Sequence, residues 1–280
     1  MAVVLAIVAA LTYGAGDFLG GIATKRIGES LGVVAVSSAV GVALLVVLLP
    51  ATGGDPTSAD LAWGAAAGVG GGLGVILFYR ALAEGVMSVV APVTAVTSAV
   101  VPVAAGLALG ERPSAVALCG VALAIVAVAL LSRQTAGARE RVPTNRVRVL
   151  TLAFLAGLGF GAFFVFLDQT GDDAGMWPLV ASRTTTFVIA IAIAVLLRRT
   201  LAIPGGTRLT VVGTGVLDMT ANALFLLANR EGLLTLVAVI VSLYPASTIA
   251  LAQGFLGERL ERHQAVGVAL AGVAVVLIAL

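Results

Sequence analysis

Charge is what this 280-residue chain has least of, since Asp, Glu, Lys and Arg make up only 11% of it, against roughly a quarter in an ordinary water-soluble domain. Hydrophobic residues reach 60% and the mean hydropathy is +1.13, which places the chain in a bilayer. A single cysteine, Cys119, excludes an intramolecular disulfide. The only histidine, His263, sits at the edge of an apolar run with no nucleophile beside it, so neither a His/Cys metal cluster nor a hydrolase site can be assembled. The 16 Lys and Arg residues stand at the ends of apolar runs and form no continuous basic face, which sets nucleic-acid binding aside. No strand precedes the run "GVGGGLG", so its resemblance to a dinucleotide fingerprint is discounted and no cofactor is expected. No Lys or Arg precedes Lys25, so the first apolar stretch is expected to be retained rather than cleaved as a secretory signal.

What is present is a repetition. The stretch from Glu84 to Ala124 returns 147 residues later as Glu231 to Ala271, and 15 of 41 aligned positions agree, among them Gly110-Glu111-Arg112 and Gly257-Glu258-Arg259. The same offset pairs Tyr13-Gly14 with Phe160-Gly161.

A spanning helix needs roughly 17 to 25 mainly apolar residues. That rule predicts ten spans, at 2–22, 31–51, 61–79, 86–110, 114–132, 149–167, 176–197, 209–229, 232–257 and 264–280. Backbone polar groups cannot go unpaired in hydrocarbon, and apolar runs without period-two alternation exclude a barrel, leaving an all-α membrane protein. Five spans (1–132) precede a basic linker (133–148) and five (149–280) follow it. Because five is odd, the second copy is expected to enter the membrane in the opposite sense, as in the inverted repeats of secondary transporters. The side reached after odd-numbered spans carries 13 Lys and Arg residues and the other side 2, which predicts a cytoplasmic linker with both termini outside.

Ionisable residues inside spans are the first candidates for function, because a charge in mid-bilayer is costly. Asp218 is the deepest, with Thr214, Asn222 and Asn229 on its helical face. That stripe reads either as a structural interhelical hydrogen bond or as a substrate or proton site. Asp17, in "TYGAGDFLGG", either binds a substrate amine or a proton, or pairs with Lys25 or Arg26 near the interface. Arg183 either counters one of these aspartates, holds a substrate carboxylate, or snorkels. Pro92, Pro102 and Pro245 interrupt spans four and nine and free carbonyls at Ser88, Ser98 and Val241, as gating kinks or as packing features. Gly64, Gly68 and Gly72 have the spacing that lets helices approach closely and are read as packing residues.

The repeated pattern of an "APV"-like stretch, an apolar helix ending in Leu-Gly-Glu-Arg (Leu109 to Arg112 and Leu256 to Arg259) and a glycine-containing helix resembles the EamA-domain members of the drug/metabolite transporter superfamily, over both halves. Tyr13-Gly14 stands where that family has an aromatic-glycine pair, and Arg183 stands where it has an arginine early in a repeat's second helix; the first repeat departs, with Val36 there. The resemblance implies ten helices in two inverted EamA-type repeats around a central cavity. It places Asp17, Tyr79, Thr94, Thr97, Phe164, Asp218, Asn222 and Tyr244 in or near that cavity. It also implies cytoplasmic termini, against the charge count. The expected function is secondary active transport of a small amino-acid-like or amphipathic metabolite across the cytoplasmic membrane, as an exporter with proton antiport. The alternatives are a facilitative or uptake permease and a non-transporting membrane scaffold. Small molecule, lipid bilayer and protons are the expected partners, in a monomer or weak dimer. Three repeat-equivalent pairs break symmetry and are expected to mark the substrate: Asp17 with Phe164, Asp218 with Gly71, and Arg183 with Val36.

Overall fold

The apolar runs fold as helices, the only open way to satisfy their backbone groups without water. The computed structural model describes residues 1–84, 87–131, 146–244, 246–247, 251 and 262–280; the side chains of Lys25, Tyr79, 82–84, 87–89, 91–92 and Arg146 lie outside the description. Pro245, the second Leu-Gly-Glu-Arg turn and most of the 133–148 linker also fall outside the described residues, as do the side chains of Tyr79 and Pro92.

The described helices are α1 (Ala2–Ile27), α2 (Ser30–Thr52), α3 (Ser58–Glu84), α4 (Met87–Ala108), α5 (Ala115–Leu131), α6 (Arg146–Asp168), α7 (Trp177–Leu196), α8 (Arg208–Arg230), α9 (Leu234–Val241) and α10 (Arg262–Ala279). Among the described residues, seven helical stretches are long and apolar enough to cross a membrane, in α1, α2, α3, α6, α7, α8 and α10. In α4 and α5 the apolar stretches are shorter, Val93–Ala108 and Ala115–Leu131. α9 ends after eight residues in a turn over Ser242, Leu243 and Tyr244, and Ala246, Ser247 and Leu251 are again helical, so the expected ninth span is interrupted just before Pro245 among the described residues.

Local signals set several boundaries. The Glu29 carboxylate accepts from the backbone N–H groups of Ser30 and Leu31 (3.1 and 3.4 Å), capping α2. Asp60 and Thr57 exchange side-chain and backbone hydrogen bonds at the start of α3 (2.8 and 3.2 Å), a reciprocal cap. Gly28, at φ 74°, ends α1 in the left-handed conformation that glycine tolerates.

The packing crosses between the halves. α1 lies on α8 and α9, α3 on α6 and α7, α2 on α7 and α8, α4 on α6 and α9, and α5 on α10. Exchanging each helix for the one five places along maps these pairings onto one another. Glycines allow the closest approaches. A Cβ on Gly64 or Gly68 would collide with the carbonyl oxygen of Pro178 or Ser182, and Thr186 Oγ1 donates to Gly68 O at 3.0 Å, so α7 rides along the seam of α3. On another face of α3, a Cβ on Gly159 of α6 would stand 2.6 Å from Gly70 O.

One end of the bundle is tied by polar contacts. There the Met1 ammonium faces Glu231 (3.8 Å), and Asp60 Oδ1 accepts from Gly171 N (2.7 Å). At the same end Arg230 donates to Gly171 O and Gly175 O (3.2 and 2.7 Å), and Asn229 donates to Asp168 (2.9 Å). We call this the first end. At the second end Arg199 and Glu29 lie 4.0 Å apart.

Candidate functional site

Between the two sets of helices lies a cavity of about 180 Å³. Its walls come from both repeats: Tyr13, Gly16, Asp17 and Gly20 of α1, Ser37 and Ser38 of α2, Gly71 and Phe78 of α3, and Ser98 of α4 on one side. From the other come Phe160, Phe163 and Phe164 of α6, Arg183 and Thr186 of α7, Thr214, Asp218 and Asn222 of α8, and Tyr244 just beyond α9. Val33 and Val34 also line it, three and four residues into α2, so the cavity reaches toward the second end.

The polar stripe of α8 faces this space for three of its four residues, Thr214, Asp218 and Asn222. The fourth, Asn229, two turns further on, is bonded to Asp168 at the first end. Arg183 Nη2 lies 2.6 Å from Asp218 Oδ2, so the intramembrane arginine and the deepest aspartate neutralise each other across α7 and α8. Asn222 Nδ2 braces the pair, donating to Asp218 O (2.5 Å) and Asp218 Oδ1 (3.3 Å).

Asp17 differs. Fifteen residues past Ala2, it is deep in α1, yet its side chain is exposed because it stands on the cavity wall. It forms no hydrogen bond or ion pair among the described residues. The crossing of α1 over α8 brings it near Asp218: a Cβ on Gly16 would lie 3.4 Å from Asp218 N. The cavity wall therefore carries two carboxylates and one guanidinium. Three buried polar atoms on or beside the wall also lack a hydrogen-bond partner among the described residues: the Tyr13 hydroxyl, Arg183 Nε and Asn222 Oδ1. Part of the wall is aromatic, with Phe163 and Phe164 ring centroids 5.5 Å apart and Phe78 and Phe160 6.1 Å apart.

Of the residues expected from sequence, Asp17, Asp218, Asn222, Tyr244, Phe164 and Arg183 come together on this cavity. Thr94 and Thr97 do not. Thr94 Oγ1 donates to Ala153 O (3.0 Å) and Thr97 Oγ1 to Val93 O (2.7 Å), both at the contact of α4 with α6. Pro102 is buried inside α4. Its ring leaves Ser98 O without the helical partner, and the neighbouring Ser98 hydroxyl donates to Ala95 O (2.9 Å). Phe160, Phe163, Ser37, Ser38 and Thr186 were not anticipated. The signal for the phenylalanines was available: four of the chain's ten fall within residues 160–166.

The described helices of both halves of the chain close on one shared cavity. Residues 1–133 and 147–280 each match the model of the EamA-like transporter family, and the chain belongs to that family, within the drug/metabolite transporter superfamily. Among solved structures, one titled "Crystal structure of protein" shares the fold, with a TM-score of 0.79, 16% identity, and coverage of 99% of this chain and 95% of that one. A comparison with the curated proteins finds no match.

Proposed function

We propose that this protein is a secondary active transporter that exports a small amphipathic, amino-acid-like amine by alternating access, with protons as the coupling ion. The observation that carries the proposal is the Asp17 carboxylate, unpaired among the described residues, on a cavity shared by both repeats and near an internally neutralised Arg183–Asp218 pair. A substrate ammonium sits at Asp17 and an acceptor group meets the Tyr13 hydroxyl and Arg183 Nε. The apolar body lies on Phe160, Phe163 and Phe164, and Asn222 and Tyr244 orient it. Desolvation in such a site strengthens each charge contact. A proton and an ammonium competing for the same carboxylates provide the exchange that antiport requires.

In this reading, units 1–132 and 149–280 form the two inverted five-helix repeats, ten spans in all, joined by the 133–148 linker. The protein acts in the cytoplasmic membrane as a monomer or weak dimer. The 13-to-2 distribution of Lys and Arg supports a cytoplasmic linker and external termini. The kinks at Pro92, Pro102 and Pro245 lie in the helices that rock.

The test is flux in proteoliposomes under an imposed pH gradient, with a panel of amino acids and apolar amines. Gradient-driven flux of at least one amine is expected. It should be lost in Asp17→Asn and in Asp218→Asn while both variants still insert. Flux that ignores the gradient would remove the coupling, and flux unchanged in both variants would remove these carboxylates from the mechanism.

A further inference from the structure

The Leu-Gly-Glu-Arg turn of the first repeat reaches into the second. Gly110, at φ 104°, is in a conformation that side-chain-bearing residues rarely adopt, and it reverses the chain after α4 so that Glu111 N donates back to Gly106 O (3.0 Å). The Glu111 carboxylate then crosses to the start of α9. Its Oε1 accepts from Leu234 N (2.5 Å), and its Oε2 accepts from Thr235 N (2.9 Å) and from the Thr235 hydroxyl in a short contact. Two of the three donors on this carboxylate are N–H groups that a helix start leaves open, and the third is a hydroxyl, all in charge-assisted bonds. Gly106 makes room for them, because a Cβ there would meet Glu111 Oε2 and stand 2.5 Å from Thr235 Oγ1. The equivalent of Gly106 in the second repeat, 147 positions on, is Gln253, so the sequence does not repeat this pocket.

Glu111 clamps α4 to α9, and that pair carries Ser98 and Tyr244 into the cavity wall. The clamp lies at the first end, beside Asn229–Asp168 and Arg230–Gly175, whereas the cavity reaches toward the second end. We propose that Glu111 is a gate latch: a carboxylate of one repeat that shuts the first end by capping a helix of the other, and that must release for the cavity to open on that side. A purely structural cap would be made once at folding and kept throughout. A latch breaks and re-forms in every cycle. The proposal rests on the alternating-access reading, and its readout is separate from flux.

The experiment uses the full chain in oriented membrane vesicles, with Cys119→Ala to remove the native thiol and Ser98→Cys as a cavity reporter. A membrane-impermeant maleimide is applied at the face that carries the termini. Glu111→Ala is expected to speed labelling from that face by about tenfold or more, the population change that losing one charged hydrogen bond supports. Thr235→Val, a milder change, should give a smaller increase. Joining Glu111→Cys to Thr235→Cys with a short bifunctional reagent, in place of the Glu111→Ala change, should abolish labelling from that face and restore it on reductive release. Labelling unchanged by both single variants and by the cross-link overturns the latch, whatever the flux. Labelling that responds in a protein moving no amine leaves the latch standing and removes the transport reading.

Discussion

Arg183 and Asp218 stand 2.6 Å apart, with side-chain exposures of 14% and 30%, so each is the other's main compensation for leaving water. Breaking such a pair from one side costs about 3–5 kcal/mol where it is deeply buried, because a charge is left behind; cavity contact places this pair toward the lower figure. Arg183→Ala and Asp218→Ala should each lower the thermal midpoint by several degrees, whereas the double variant should recover a large part of the loss. A double-mutant cycle on purified protein measures this, and additive losses would show that the two do not act as a pair. Asp17→Asn, by contrast, removes no protein contact among the described residues and is expected to leave the midpoint nearly unchanged. At this scale much of the site was legible. The cost of charge in hydrocarbon singles out Asp17, Asp218 and Arg183 without any coordinates, and the repeat offset shows where symmetry breaks. Thr94 and Thr97 show the limit: a hydroxyl in a span is as well satisfied by a backbone carbonyl as by a ligand, and only packing decides which.

Among elements, the contact of α3 with α7 depends on missing side chains. Gly68→Val would press its branch into the Ser182 carbonyl, and overpacking of this kind costs about 1–3 kcal/mol. Gly21→Ala is the control. A Cβ at Gly21 meets nothing within 4 Å, so the better helix former should be neutral or gain up to about 1 kcal/mol. Detergent-solubilised thermal unfolding of the two variants distinguishes the sites, and equal shifts would contradict the seam. The spacing of Gly64, Gly68 and Gly72 made this contact readable in advance, and Pro245 marked the place where α9 is interrupted, since its ring frees the carbonyl of Val241, the last residue of that helix. Hydropathy alone would have missed it, because a turn at Ser242 to Tyr244 leaves the sum along 232–257 almost untouched.

At the level of the whole molecule, the helices of one repeat find their partners in the other. A duplicated sequence invites the picture of two domains side by side, but α1 rests on α8, α3 on α6 and α7, and α5 on α10. Duplication was plain from the offset of 147 residues; the interleaving was not, because offsets carry no information about neighbours. Residues 1–132 and 149–280, expressed as separate chains, should each be unstable alone and should co-purify when made together, as read by yield and monodispersity on gel filtration. A stable, monodisperse first half on its own would contradict the interleaving.

The pairing of α1 with α8 also sets a timetable for biogenesis. About 200 residues separate the two helices, and at roughly 5–20 residues per second the ribosome takes on the order of 10–40 s to deliver the second after the first. During that interval Asp17 lies in a helix that lacks its main partner, exposed to lipid or to whatever insertion factor shelters it. The newborn first half is therefore the state most open to quality-control proteases, and slowed translation of the second half should lower the amount of protein that survives even when every residue is native.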